Sequence, residues 1–167
     1  DSRATTLVVS EALFEVVEPV LTDNPYLERV IVIGADARKN TISYDAFVSA
    51  ANVPVEAFDA SPDETAFWLY SSGSTGQPKG VHHVHSALRA TADTYGAQVL
   101  GIQQDDIIFS AAKFFFAYGL GNSMTFPLSV GATSVIFGGR PAPDEMVEIL
   151  EQEKPTIFCG VPTLYAA

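Results

Sequence analysis

A run of glycines and hydroxyl side chains carries most of the chemistry in this sequence. It reads YSSGSTGQPKGV over residues 70–81. Glycine lets the backbone approach a ligand closely, serine and threonine hydroxyls donate hydrogen bonds, and Lys79 adds a mobile positive charge. Backbone N–H groups in such a turn can also point inward and bind an anion. The segment therefore predicts a polyphosphate-binding loop in preference to a flexible surface loop.

Two common phosphate-binding motifs do not fit this loop. A Walker A motif requires glycine before its lysine and serine or threonine after it. Pro78 and Gly80 occupy those positions here. The G-x-G-x-x-G pattern of dinucleotide-binding domains does not match either. We therefore expect neither a kinase-type or GTPase-type loop nor a dinucleotide-binding domain.

Three histidines, His82, His83 and His85, follow the loop and invite comparison with a metal site. Zinc sites usually use three or four ligands, and no cysteine or carboxylate accompanies this cluster at a suitable spacing. We therefore predict no metal site. The segment after Lys79 is better explained as a short strand that leads into a helix.

Short β-branched runs alternate with helical patterns along the chain, as in βαβ units. The pattern predicts an α/β fold with a largely parallel sheet flanked by helices. Most of the expected strands are apolar throughout, which is typical of strands covered on both faces. The predicted strands are residues 6–9, 30–33, 67–70, 107–109, 133–137 and 156–159.

Helices are predicted between these strands. Apolar residues recur at helical spacing after Ser10, although Pro19 should kink or shorten that helix. Residues 84–99 give the clearest amphipathic pattern. A short helix is expected over residues 44–51, and another from Pro143 to Lys154.

Composition restricts the class of protein. The 167 residues suffice for one folded domain, and no apolar run reaches the roughly 18–20 residues of a membrane helix. A net charge of -11 argues against nucleic acid as a partner.

Cys159 lies in an apolar run and should be buried. A lone cysteine permits no internal disulfide, which fits a cytoplasmic location.

An acidic, proline-containing stretch over residues 52–64 predicts a surface connection. We expect it to divide the chain into a leading βαβ part, residues 1–64, and a part that carries the loop, residues 65–167. The sequence begins at Asp1 and not at methionine. It is therefore expected to be a piece of a longer protein.

The glycine-rich loop resembles the phosphate-loop signature of the adenylate-forming enzymes, which include acyl-CoA synthetases, peptide-synthetase adenylation domains and luciferases. Two later segments extend the resemblance. SAAKFFFAYGLGN at residues 110–122 is similar to benzoate–CoA ligases in particular. GVPTLY at residues 160–165 resembles the end of a core strand and the start of a helix in the family.

The resemblance implies an activity and its reactants. In the family a carboxylate attacks the α-phosphate of Mg-ATP, pyrophosphate leaves, and coenzyme A displaces AMP from the acyl-adenylate. The implied reactants are an aryl carboxylic acid (expected to be benzoate), ATP and coenzyme A, with Mg²⁺. The residues implied to hold the β- and γ-phosphates are Ser72, Gly73, Ser74, Thr75, Gly76 and Lys79.

The resemblance also implies an acyl pocket built from Ala117, Tyr118 and Gly119. Many members have an aromatic residue or histidine where Tyr118 stands, and this sequence departs from the histidine version, as benzoate-type ligases do. The site is therefore expected to shape the acid and not to protonate it. Small and aromatic walls would suit a flat aryl acid. From the residues alone, the triplet at 114–116, Phe-Phe-Phe, is predicted to be core.

Several family motifs do not occur in these residues: the glutamate that coordinates magnesium, the ribose-binding aspartate and the C-terminal lysine that promotes adenylation. The chain is therefore expected to be the central third of such an enzyme, part of its N-terminal domain, inactive alone and prone to self-association. Two alternatives stay open. One is a non-catalytic nucleotide-binding module, and the other is an adenylating enzyme with a different acid or acceptor.

Overall fold

The computed structural model describes residues 2–21, 23–34, 38–72 and 76–166. The chain forms two compact units, Asp1–Phe58 and Asp59–Ala167. The predicted division between residues 64 and 65 stays a prediction. Within the described residues no helix is long and apolar enough to cross a membrane.

The first unit is a parallel three-stranded sheet of order β1-β2-β3 with two helices. Its core consists of Val9, Phe14, Val30 and Val32, with Leu7, Val17, Leu21 and Leu27 packed around them. The elements are β1 Thr6–Ser10, α1 Glu11–Leu21, β2 Arg29–Ile33, β3 Ile42–Ser43 and α2 Tyr44–Ser49. Helix α1 continues through Pro19 to Leu21, so the proline does not end it.

The second unit starts with an antiparallel hairpin of β4, Thr65–Ser72, and β5, Pro78–Val84. The hairpin differs from the parallel sheets because the loop between its strands has only five residues, which is too short for a parallel crossover. The strand expected after Lys79 is confirmed, although Lys79 itself lies within β5. Helix α3, His85–Thr91, follows directly and continues as a π-helical segment, Ala92–Leu100.

A second parallel sheet, of order β7-β6-β8, forms the centre of this unit. Strand β6 lies between the other two, and its Ile108 and Phe109 are completely buried. The strands are β6 Ile107–Ser110, β7 Thr133–Val135 and β8 Ile157–Cys159. The helices are α4 Ala117–Leu120, continuing as the π-helical segment Gly121–Thr125, α5 Phe126–Val130, α6 Pro143–Glu153 and α7 Pro162–Tyr165.

The predicted α/β class with parallel sheets flanked by helices is confirmed, with three sheets in place of one. All six predicted strands are present with small shifts at their ends. The strand predicted over residues 133–137 ends at Val135, two residues early. The apolar segment 117–130 was not predicted as helix, because its two glycines and Pro127 hide the helical pattern.

Asp106 ties the start of β6 to the start of β8. Its carboxylate accepts hydrogen bonds from the Gln103 N–H (2.8 Å) and the Thr156 hydroxyl (2.6 Å). The Thr156 oxygen in turn accepts from the Ile107 N–H at 3.0 Å. The Thr156 hydroxyl, and next the Gln103 N–H, lower the pKa of Asp106 because both stabilise its charged form.

Asp106→Ala should remove protection from amide hydrogen exchange at Gln103 and Ile107. The lowered pKa means that the ionised carboxylate supports this corner at neutral pH, and it loses that effect only as the pH falls through the lowered pKa, below the usual range of an aspartate. Hydrogen exchange measured residue by residue tests both statements. The matched control is Asp105→Ala, which removes the neighbouring carboxylate. Equal loss of protection in the two variants would contradict the role of Asp106.

Candidate functional site

The β4–β5 hairpin presents the glycine-rich loop at its tip. Ser72 pairs with Pro78, and Ser71 pairs with Lys79. The predicted phosphate ligands Ser72 and Lys79 therefore lie in the last two residue pairs before the loop. Ser72, Gly76 and Lys79 are exposed. No carboxylate of the described chain forms an ion pair with Lys79. The predicted phosphate ligands Gly73, Ser74 and Thr75 lie outside the described residues.

Aromatic rings pack along the body of the hairpin. Trp68 stacks on His82 with ring centroids 3.8 Å apart, and on the opposite face Phe67 stacks on His83 at 4.9 Å. Gly80 lies under two rings, because a Cβ there would come within 3.0 Å of Trp68 and 3.2 Å of Tyr70. Cross-strand pairs of this kind stabilise hairpins. The stacked rings stabilise the strands that carry the loop. They also explain two of the three histidines, His82 and His83, as packing residues.

The predicted acyl residues lie beyond the carboxyl end of the central sheet. Strands β6 and β8 are parallel and end at Ser110 and Cys159, which are register partners. The chain that leaves β6 reaches α4, where the Tyr118 hydroxyl donates to the Gly160 carbonyl at 3.2 Å. Ligands of open α/β sheets bind at this edge. The sheet therefore brings two segments distant in sequence to one place.

Tyr118 and Cys159 occupy a partly buried corner. Burial, and next the nearby Cys159 thiol, raise the pKa of Tyr118. Burial also raises the pKa of Cys159, against a smaller opposing effect of the Tyr118 hydroxyl. Both groups are therefore neutral near pH 7. The predicted burial of Cys159 is confirmed, with 7% of its surface exposed.

Gly119 and Lys113 fix the start of α4. Gly119 is buried, and a Cβ on it would lie 2.6 Å from the Ala112 carbonyl oxygen and closer still to that of Lys113. The Lys113 ammonium donates to the carbonyls of Phe137 (2.6 Å) and Gly139. A single lysine thereby joins the segment before α4 to the loop that follows β7.

The expectation that Phe114, Phe115 and Phe116 form core is wrong. They are 40%, 70% and 57% exposed. The core positions beside them are filled from β6, and α4 packs inward through the buried Gly119. The three rings therefore face outward, where Phe115 and Phe116 pack against each other with centroids 4.6 Å apart.

Two cavities adjoin the predicted acyl segment. The larger, about 390 Å³, has mainly apolar walls and includes Phe116, Val161 and Thr163. Its size falls within the range of small-molecule sites. The smaller, about 110 Å³, is lined by Ala117 together with Phe67 and His83 of the hairpin. Ala117 is thus brought against the body of the hairpin, whereas Tyr118 and Gly119 line neither cavity.

Sequence reasoning missed several residues of this region. Lys113, Gly160 and Tyr165 hold it together through hydrogen bonds to backbone groups. All three residues lie in the segments that carry the family resemblance. Their partners are backbone groups, or a residue distant in sequence in the case of Lys113 and Gly160, and such partners leave no sequence pattern. The described residues contain no group of three histidine, cysteine or acidic side chains placed to hold a metal ion.

The chain belongs to the AMP-binding enzyme family, whose model matches residues 1–167. The benzoate–CoA ligase of Thauera aromatica is 48% identical over all 167 residues, which cover 31% of that protein. The 4-hydroxybenzoate–CoA/benzoate–CoA ligase of Rhodopseudomonas palustris is 42% identical over the same length and share. The chain thus spans about a third of the length of these relatives.

Solved structures agree with the fold. The anthranilate CoA ligase AuaEII, in complex with anthranoyl-AMP, has a TM-score of 0.90 at 34% identity, over 98% of this chain and 32% of that one. A benzoate CoA ligase from Burkholderia xenovorans LB400 has a TM-score of 0.82 at 41% identity, over 99% and 32%. The predicted resemblance to adenylate-forming ligases is confirmed, as is their N-terminal domain fold.

Gly119→Ala should destabilise the protein by about 1–3 kcal/mol, because the new methyl group meets backbone that cannot move aside. Gly138→Ala is the matched control, since a Cβ there has no atom within 4 Å. Thermal unfolding measures the difference. A melting temperature lowered equally by both substitutions would show that contact at Gly119 is not the cause.

Cys159 should react slowly with iodoacetamide at pH 8 in the folded protein, because it is buried and its raised pKa leaves little thiolate. Peptide mass spectrometry measures the alkylated fraction over time. Denaturant should accelerate the reaction strongly. Alkylation at the same rate with and without denaturant would contradict burial of the thiol.

Proposed function

We propose that this chain is the phosphate-binding and acyl-binding part of an ATP-dependent, AMP-forming aryl-acid–CoA ligase, with benzoate as the acid. The observation that carries the proposal is the exposure of Ser72, Gly76 and Lys79 at the end of the hairpin, combined with 48% identity to a benzoate–CoA ligase over the whole chain. The reactants would be an aryl carboxylic acid, ATP and coenzyme A. A cytoplasmic location is part of the same proposal.

The loop would hold the β- and γ-phosphates while the acid attacks the α-phosphate. Transfer of this kind depends on placement and on neutralising charge more than on covalent help from the protein. The proposed ligands are Ser72, Gly73, Ser74, Thr75, Gly76 and Lys79. Gly76 supports the turn, since its φ of 77° suits glycine. Exposure of Lys79 leaves its ammonium available to a phosphate.

The acid would lie near Ala117, Tyr118 and Gly119. A neutral Tyr118 offers a flat ring and a fixed hydroxyl, and its raised pKa fits a wall that does not exchange protons at neutral pH. Family membership implies Mg²⁺ with the ATP. The described residues do not form a metal-binding cluster, so we assign this chain no magnesium ligand and derive no step through the ion.

ATP–pyrophosphate exchange tests the function in the full-length enzyme that contains this chain. We expect exchange with benzoate, weaker exchange with hydroxybenzoates or anthranilate, and none with acetate. Product analysis with coenzyme A should then give the aryl-CoA thioester and AMP. Absence of exchange with every aryl acid would favour a non-catalytic nucleotide-binding module. Exchange without thioester formation would indicate a different acceptor.

Lys79→Ala should reduce benzoate-dependent exchange about 100-fold, because a charge aimed at the phosphates is lost from the transition state. Thr75→Ala should reduce it less, since it removes one hydrogen bond. The control Lys154→Ala removes another exposed lysine, which follows the last residue of α6. Activity unchanged in both loop variants would contradict the phosphate-binding role.

A further inference from the structure

Gly160, next to the proposed acyl site, has both of its backbone polar groups bound by tyrosine hydroxyls. The Tyr118 hydroxyl donates to the Gly160 carbonyl at 3.2 Å. The Gly160 N–H donates to the Tyr165 hydroxyl at 2.8 Å. Both polar groups of residue 160 are therefore satisfied by side chains from two helices, α4 and α7.

The Tyr165 side of this arrangement is anchored in the core. Its ring makes an edge contact with Phe158, with centroids 5.7 Å apart and planes at 85°. Phe158 stacks at 5.4 Å on Phe109, which is completely buried. A path of packed rings thus leads from the centre of β6 to the Tyr165 hydroxyl.

Gly160 allows the close approach. A Cβ at this position would lie 2.7 Å from Cζ of Tyr165 and 2.9 Å from its hydroxyl oxygen. The backbone at Gly160 can therefore lie directly against the Tyr165 ring. Its carbonyl is then fixed in the direction of Tyr118.

Tyr118 needs an outside anchor because 45% of its surface is exposed. Its backbone carbonyl accepts from the Asn122 side chain at 2.9 Å, which fixes the main chain but not the ring. The hydroxyl donates to the Gly160 carbonyl and also lies beside the Cys159 thiol, so the ring is held at its hydroxyl end.

We propose that Tyr165 is a positioning residue for the aryl acid, which acts through the backbone of Gly160 to hold the Tyr118 ring against the acyl group. The inference rests on the proposed function, since it assigns Tyr118 to the acyl pocket. Tyr165 itself does not touch the substrate. Loss of its hydroxyl frees the backbone at Gly160 to rotate, because the N–H of this residue loses its partner. The Gly160 carbonyl, on the next peptide group, is then no longer a fixed acceptor for the Tyr118 hydroxyl.

Tyr165→Phe in the full-length enzyme tests the proposal, because it keeps the ring and its contact with Phe158 and removes only the hydroxyl. The KM for benzoate should rise about 5- to 10-fold, the effect of one hydrogen bond. The KM for ATP and the melting temperature should not change. Use of 4-hydroxybenzoate relative to benzoate should rise, because the wall becomes movable.

Tyr118→Phe should have a similar effect, and the double variant should be no worse than the more affected single one. Residues that act through one shared group give such non-additive results. The control Tyr44→Phe removes an exposed hydroxyl in the first unit and should behave as the unaltered enzyme. Independent effects that multiply in the double variant would overturn the proposal.

The remaining outcomes separate this inference from the proposed function. If the unaltered enzyme activates aryl acids and Tyr165→Phe matches Tyr44→Phe, the positioning role fails and the function stands. If Tyr165→Phe lowers the melting temperature and raises both KM values, its role is structural and the proposal is wrong. If the unaltered enzyme activates no aryl acid, the function fails and the inference fails with it.

Discussion

The parallel pairing of β6 with β8 is the constraint on which the second unit depends. Its register sets Phe109 beside Phe158 and Ser110 beside Cys159. Parallel strands end at the same edge, so the two chains leaving them must meet there. The apolar interior enforces this register, because a slip of one residue would exchange the faces of Ile108 and Phe109, which are both completely buried, and disrupt the packing on each side of the sheet.

Close packing at two glycines fixes the segments that follow the carboxyl ends of β6 and β8. Gly119 lets α4 lie on the carbonyl groups before it, and Gly160 lets a tyrosine hydroxyl reach the backbone. Side chains at either position would separate elements that now touch. The region is thus held by backbone contacts and a few hydrogen bonds, with Lys113 joining it to the loop after β7.

The negative net charge of the chain opposes the phosphate binding proposed for the hairpin loop. A chain of net charge -11 repels a polyphosphate at long range, although salt screens this beyond about 8 Å. Binding of an anion must therefore come from short-range groups. In the proposed role, the exposed Ser72 and Lys79 beside the loop would supply such groups without a basic surface.

Local sequence patterns are sufficient to predict many of the strands and helices of this protein. Apolar β-branched runs gave the strands, helical spacing gave α3 and α6, and the glycine-rich signature indicated a phosphate loop, since each depends on neighbours in sequence. Tertiary structure alone decided that the Phe114–Phe116 rings face outward and that Tyr118 and Tyr165 meet at Gly160. Such contacts depend on strand register and on distant backbone groups, and backbone atoms are the same at every position of a sequence.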